Sequence, residues 1–252
     1  MIVDEILSFV ERRAKGRVIA DVRIGLKYTT VMLDDGSCGL AATLSHRLPY
    51  PFPYPGEFIG RDVLEILKMA ESVEILPSIV GAATINALLK PDERNIIYGN
   101  ALDYLKISKE DIVGIVGAFM PLMPTIRGKA KKLYVFDRYP IANLKEYCPD
   151  WAEPLILPQC SIAIISGTSV FNRTLNLLLS YLNSARKIAL IGPTTPLAPE
   201  ILKKYKIDLL SGVKVVDAKK ILRIVSQGGG TRDFMNSARQ VNFILEKSNE
   251  YF

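Results

Sequence analysis

The sequence predicts a chain in two parts, an α+β domain over residues 1–94 followed by an α/β domain with a mostly parallel sheet over residues 95–252. Two observations carry that reading. Residues 18–44, VIADVRIGLKYTTVMLDDGSCGLAATL, are rich in β-branched residues around Asp35-Gly36, a strong hairpin signal. From about residue 111, continuous apolar runs (DIVGIV, KLYVFD, SIAIIS, KIALIG) alternate with helix-like stretches. Runs that do not alternate polar with apolar are strands covered on both faces, as in parallel sheets.

In chain order, MIVDEILSFVERRAKGR has acidic residues before its basic cluster and reads as an amphipathic helix without the layout of a signal peptide. The hairpin region follows, with Lys27 and Thr29 expected on one strand face and Tyr28 on the other. PYPFPYPG, residues 49–56, holds four prolines and suits an ordered loop or lid. RDVLEILKMA and PSIVGAATINALLK are helical, the second rich enough in small residues to pack closely on a sheet.

In the second part DIVGIVGAF is a strand and turn, MPTIRGKA a short helix and KLYVFD the next strand. SIAIIS is expected to lead into a long helix ending near Ser184, with Phe171, Leu175, Leu178 and Leu182 on its apolar face. KIALIGP precedes a helix in LAPEILKKY, and DLLSG and VKVVD suggest one or two further strands. A last helix is predicted over 232–247, where Phe234, Ala238, Val241 and Leu245 fall on one stripe.

Hydrophobic residues make up 49% of the chain and charged residues 23%, which argues against disorder. No apolar run reaches the roughly 18 residues a membrane span needs. Cys38, Cys148 and Cys160 are an odd number at wide spacings; they fit a reducing cytoplasm and show no zinc pattern. Net charge is +6, but the basic residues stand singly or in short groups without interleaved aromatics, so no nucleic-acid partner is expected.

Ligands of parallel sheets bind at the carboxyl ends of the strands. There SGTSVFNRTL gathers Gly167, Thr168, Asn172 and Thr174; Thr168 or Ser169 would cap the helix, and the surplus polar groups would face a ligand. After KIALIG, the loop GPTTPLAP offers Gly192, Pro193, Thr194 and Thr195, with Thr195 expected to cap a helix starting at Pro196. Asp137 closes the second strand, where dinucleotide folds place a ribose-binding acid, although GIVGAF is not a full glycine fingerprint. Gly228, Gly229 and Gly230 form either a flexible turn or a close approach to a ligand. Asn86, among small apolar residues, must bond backbone or a ligand. Lys27 is a candidate charge partner. Metal chemistry has little direct support: His46 is the single histidine, and no catalytic pairing can be read from spacing.

IGLKYTTVMLDDGSCGLAATL and IVGAATINALL resemble the amino-terminal part of the family described as putative heavy-metal chelation. VGIVGAFMPL, LYVFDRYP, LPQCSIAIISGTSVFNRTL, ALIGPTTPLAP, LLSGVKVVD and QGGGT resemble its carboxyl-terminal part, in the same order. The resemblance implies an enolase-N-terminal-like domain followed by a Rossmann-like domain, with a site in the cleft between them. Carried over, that site comprises Asn86, Gly167, Thr168, Asn172, Thr174, Gly192, Pro193, Thr195 and the glycines 228–230.

The expected activity is binding of a small anionic or metal-chelate ligand, with a metal ion or chelate as the implied cofactor. An enzyme acting on a nucleotide or phosphorylated metabolite is the alternative, and a partner-binding protein with an idle cleft is the plainest reading. Self-association is left open.

Overall fold

The computed structural model describes residues 1–44, 52–117 and 119–245. Helix α1 (Ile2–Ala14) buries Ile2, Ile6 and Val10 on one stripe, with Asp4 and Glu5 in its first turn and Arg12 and Arg13 in its last, the order its dipole favours. Strands β1 (Ile19–Ile24), β2 (Tyr28–Leu33) and β3 (Cys38–Ala42) form an antiparallel sheet. Gly36, with φ 81°, makes the turn between β2 and β3 that Asp35-Gly36 predicts. Lys27 precedes β2 rather than sharing a strand face with Thr29, which is fully buried.

Helix α2 (Val63–Leu67) continues through a single turn, Lys68–Glu71, to α3 (Ile75–Leu88). The small residues of α3 are explained by contact. A Cβ on Gly39 would fall 2.1 Å from the Ala83 carbonyl oxygen, and one on Gly81 2.0 Å from the Ala70 nitrogen. Of the proline-rich loop, residues 49–51 lie outside the described residues, as does His46. Phe52 and Tyr54 pack their rings on Phe58, with centroids 5.9 and 6.1 Å away.

After α4 (Ala101–Leu105) come β4 (Ile112–Val116), α5 (Met123–Lys129), β5 (Lys132–Asp137), β6 (Tyr147–Pro149), α6 (Glu153–Ile156) and β7 (Ile162–Ser166). Then follow α7 (Thr168–Phe171), α8 (Leu175–Tyr181), β8 (Lys187–Ile191), α9 (Pro199–Leu202), β9 (Leu209–Val215), α10 (Ala218–Ser226), α11 (Thr231–Phe234) and β10 (Ala238–Ile244). The sheet order is β10-β9-β8-β7-β4-β5-β6, parallel except for β10.

Four expectations are corrected. The long helix behind β7 is broken: Arg173 adopts φ 65°, and Asn172 Oδ1 accepts from the Thr174 nitrogen (3.1 Å) and hydroxyl (2.8 Å), so a local side-chain bond replaces helix continuation. The last helix is only Thr231–Phe234, and its stripe continues into the edge strand β10, paired residue for residue with β9; residues 246–247 lie outside the described residues. DLLSG and VKVVD form one strand, β9, within the one or two expected, and helix α10 follows it, capped by Asp217 and burying Ile221, Leu222 and Val225. The predicted caps are also absent. Gly167 holds the N-cap position of α7, while Thr168 and Ser169 direct their hydroxyls to Ser166. The helix after β8 starts at Pro199, not Pro196.

One apolar core runs through both parts, from Ile6, Val31 and Ile85 to Phe171, Ala163, Leu190 and Phe243. A second core, with Val113, Ile115, Ile164 and Ala189, covers the opposite face of the large sheet. The small sheet and α3 are thereby held against the β8–β9 side of the large sheet.

Candidate functional site

The carboxyl ends of β7 and β8 are joined by close backbone contact. The Gly167 nitrogen donates to the Ile191 carbonyl (2.9 Å), and a Cβ on Gly167 would fall 2.4 Å from the Thr195 nitrogen. Gly192, at φ 116°, starts the turn that Thr195 N closes by donating to Gly192 O at 2.9 Å. This fixes the loop 192–198 over the end of the large sheet, beside the small sheet.

The loop is tied to β3 and α3. Thr194 Oγ1 accepts from the Ala42 nitrogen at 2.8 Å. The Asn86 Nδ2 group donates to Leu40 O at 2.8 Å and to Thr194 O at 3.1 Å. Asn86 Oδ1 and Thr195 Oγ1, both buried, have no hydrogen-bond partner among the described residues. Leaving a buried polar atom unpaired costs about 1–3 kcal/mol, so each needs an explanation.

Both residues line a cavity of about 280 Å³ between the two parts. Cys38 of β3 and the apolar side chains of Leu197, Val213 and Val241 complete its wall. Cys38 Sγ lies 3.2 Å from Thr30 Oγ1. The Thr30 hydroxyl proton goes to Gly39 O (2.9 Å), so the thiol is the donor between them. Burial pushes the Cys38 thiol up to about 11, and it stays protonated at neutral pH. Two exposed lysines at the cavity are already paired, Lys90 with Asp35 at 3.0 Å and Lys214 with Glu93.

The remaining sequence candidates lie elsewhere. Gly167, Gly192 and Pro193 shape the loop without lining the cavity. Thr168 bonds Ser166, and Asn172 and Thr174 bond each other at the helix break. Asp137 ends β5, two strands away from β7, and accepts from the Tyr139 nitrogen at 3.1 Å. Lys27 packs on Gly230, where a Cβ would meet its Cδ at 2.9 Å, and the neighbouring Tyr28 and Thr231 hydroxyls bond at 2.8 Å. Gly228 and Gly230, against Leu26 and Lys27, therefore serve a second contact between the two sequence segments, away from the cavity, while Gly229 packs on Ile224. Sequence reasoning missed Cys38, Leu197 and Val213, because nothing in their spacing announces that β3, the loop and β9 converge.

The donor set does not suit a bare heavy-metal ion. Among the described residues no group of three or more His, Cys, Asp or Glu could hold one. The residues lining the cavity offer one carboxylate, Glu93, already paired with Lys214, together with amide and hydroxyl groups and a protonated thiol, whereas soft metals are held by thiolates and imidazoles. No helix of the described residues is long and apolar enough to cross a membrane.

Two family models, both described as putative heavy-metal chelation, match residues 8–89 and 100–244. An uncharacterized protein of Methanocaldococcus jannaschii is 25% identical over 256 residues, covering 98% of this chain and 99% of that one. A solved protein of unknown function from Pyrococcus horikoshii superposes with a TM-score of 0.86 at 26% identity, covering 97% of this chain and all of that one. Another, from Desulfitobacterium hafniense, gives 0.77 at 23% identity over 96% and 98% of the two chains, a likeness of fold.

Proposed function

We propose, for a chain that belongs to the putative heavy-metal chelation family, that its role is to bind a small polar ligand in the cavity between the small sheet and the carboxyl edge of the large one. The observation behind this reading is that two residues lining the cavity, Asn86 and Thr195, each keep a buried oxygen with no hydrogen-bond partner among the described residues. A ligand that bonds both removes the cost of leaving them dry. The family description is compatible with this donor set if the metal arrives wrapped in an organic chelator, whose outer groups Asn86 and Thr195 would bond. The two parts, 1–94 and 95–252, would then act as the jaws of one site. A nucleotide-binding enzyme has less support, since Asp137 lies three strands from the loop and Gly192 faces the Phe119 ring.

Native mass spectrometry of the purified full chain, beside its denatured mass and a metal analysis, tests the reading. The expected result is a non-covalent adduct in the wild type that Thr195→Val loses. An adduct held equally by Thr195→Val overturns it. So does a bare mass combined with no thermal shift from a panel of ferric, nickel and copper chelates.

A further inference from the structure

We infer that the protein carries a second ligand site, for a short polyphosphate chain, in a basic hollow where β5 and β6 begin, at the opposite edge of the large sheet from the cavity. The two sites share no lining residue, so the inference stands or falls apart from the proposed function.

Backbone bonds assemble the hollow. The nitrogens of Lys131 and Lys132 both donate to Asp111 O, at 2.9 and 3.3 Å, as β5 starts. The Val135 nitrogen donates to Glu146 O at 2.8 Å as β6 takes up its parallel pairing with β5. Lysines that stand in separate short groups of the sequence are thereby brought to one concave surface of about 400 Å³, which Lys131, Lys132, Lys145, Arg127 and Glu146 line.

The charges there do not cancel. Glu146 is the one carboxylate among the lining residues, and the Arg127 guanidinium takes both its oxygens, at 2.6 and 3.0 Å. Lys131, Lys132 and Lys145 are exposed and form no ion pair among the described residues. Lys132 Nζ lies 4.6 Å from the centre of the Tyr134 ring, which orients the ammonium without neutralising it. Three like charges in one hollow raise the local potential and draw a counter-anion.

The ligand class follows from the donors. One exposed ion pair contributes little, so the anion must meet several ammonium groups at once. Planar, two-point recognition of a carboxylate calls for a guanidinium, and that of Arg127 is occupied; ammonium groups act as point charges, which suit phosphate oxygens from any side. Consecutive phosphates supply several charges on a short chain. The surplus is confined to one corner of the sheet, whereas single-stranded nucleic acid needs a track about four nucleotides or more in length.

The test is isothermal titration of the full chain near pH 7.5 in dilute salt with sodium tripolyphosphate, orthophosphate and butanetetracarboxylate. Tripolyphosphate is expected to bind at least about tenfold more tightly than either of the others. Lys131→Gln combined with Lys145→Gln should weaken it about tenfold, because each exposed ammonium–phosphate contact is worth up to about a factor of five. Lys203→Gln combined with Lys219→Gln removes the same charge from other exposed positions and should change it less than about twofold. ATP, metal-free, separates the two sources of such a chain: affinity equal to that of tripolyphosphate assigns the site to the chain itself, and tighter binding lost in the same Lys131 and Lys145 double variant assigns it to a nucleoside triphosphate. Absence of tripolyphosphate binding, equal binding of the tetracarboxylate, or equal loss in both double variants overturns the inference. So does an oligothymidylate that outcompetes tripolyphosphate at the same lysines, which would make the hollow a nucleic-acid contact.

Discussion

Asn86 on α3 donates through Nδ2 to the carbonyl of Thr194, 3.1 Å away in the loop after β8, and so bonds the helix behind the small sheet to the edge of the large sheet. The same amide group reaches Leu40 O on β3. This bond does two things. It satisfies the donor half of a part-buried amide, and it leaves Oδ1 buried with no partner among the described residues. A polar residue amid the small apolar side chains of α3 is thus both a fastener between the two sheets and a candidate ligand contact.

Replacing Thr195 by valine removes a buried hydroxyl that has no partner. An isosteric apolar group there costs the ligand-free protein nothing and gains up to about 1 kcal/mol. Denaturant unfolding of stripped protein should show equal or higher stability, together with loss of the adduct. A drop of several kcal/mol in stripped protein would mean that the hydroxyl has a structural partner.

Asn86→Leu keeps volume but leaves the carbonyls of Leu40 and Thr194 unanswered. Two buried acceptors stranded in this way should cost about 2–4 kcal/mol. Equilibrium urea unfolding measures the loss, and limited proteolysis near residues 86–95 should quicken as the two domains loosen.

Gly167→Ala leaves the backbone angles acceptable, since φ is −56°. Its methyl would instead fall 2.4 Å from the Thr195 nitrogen. Strand and loop must separate, at a cost of about 1–3 kcal/mol, and Thr195 moves with them. Lower melting temperature and lower ligand occupancy are expected together.

At the amino end of the large sheet, the Arg186 guanidinium grips Asp111 at 2.6 and 2.9 Å, with Ser108 and Ser161 adding hydrogen bonds. These hold the Asp111 carboxyl well below its ordinary range. A depressed carboxylate stabilises fully above the unfolded pKa, near 4, and loses that effect as pH falls below it. The stability gap between wild type and Asp111→Asn should be constant from pH 7 to about 5 and shrink below 4, as followed by unfolding at each pH.

Glu153, half-buried beside Asp150, is pushed up to about 7 by burial first and by its neighbour's charge second. A carboxyl raised in the folded state burdens folding increasingly from the ordinary value of 4.5 up to 7 and constantly above. Glu153→Gln should therefore be neutral at pH 4 and raise the melting temperature at pH 8. Equal effects at both pH values would show that the side chain stays solvated and ordinary.

How much of this was legible follows from the range of each interaction. A strand covered on both faces must be apolar throughout, so β4, β5, β7 and β8 announced themselves in runs such as IAIIS and KIALI. The Asp35-Gly36 turn was equally local, because only a residue tolerating positive φ fits it. The break at Asn172 was not, since a single side chain bonding Thr174 outweighs a helical pattern that continues on either side.

The sequence by itself determined the early hairpin, the buried parallel strands after it and the hydroxyl-bearing loops at their carboxyl ends, because these depend on residues near one another in the chain. Tertiary structure alone decided the rest. Residues 238–244 carry a spacing that suits a helix, and they became a strand because β9 offered an unpaired edge. That strand's own outer edge is closed where Asn242 bonds Ile97 and Gly99. The cavity arises where Cys38, Asn86, Thr195 and Val213 meet from four separate elements. Whether a buried oxygen is answered depends on every group that folding brings to it, and that is a property of the assembled molecule.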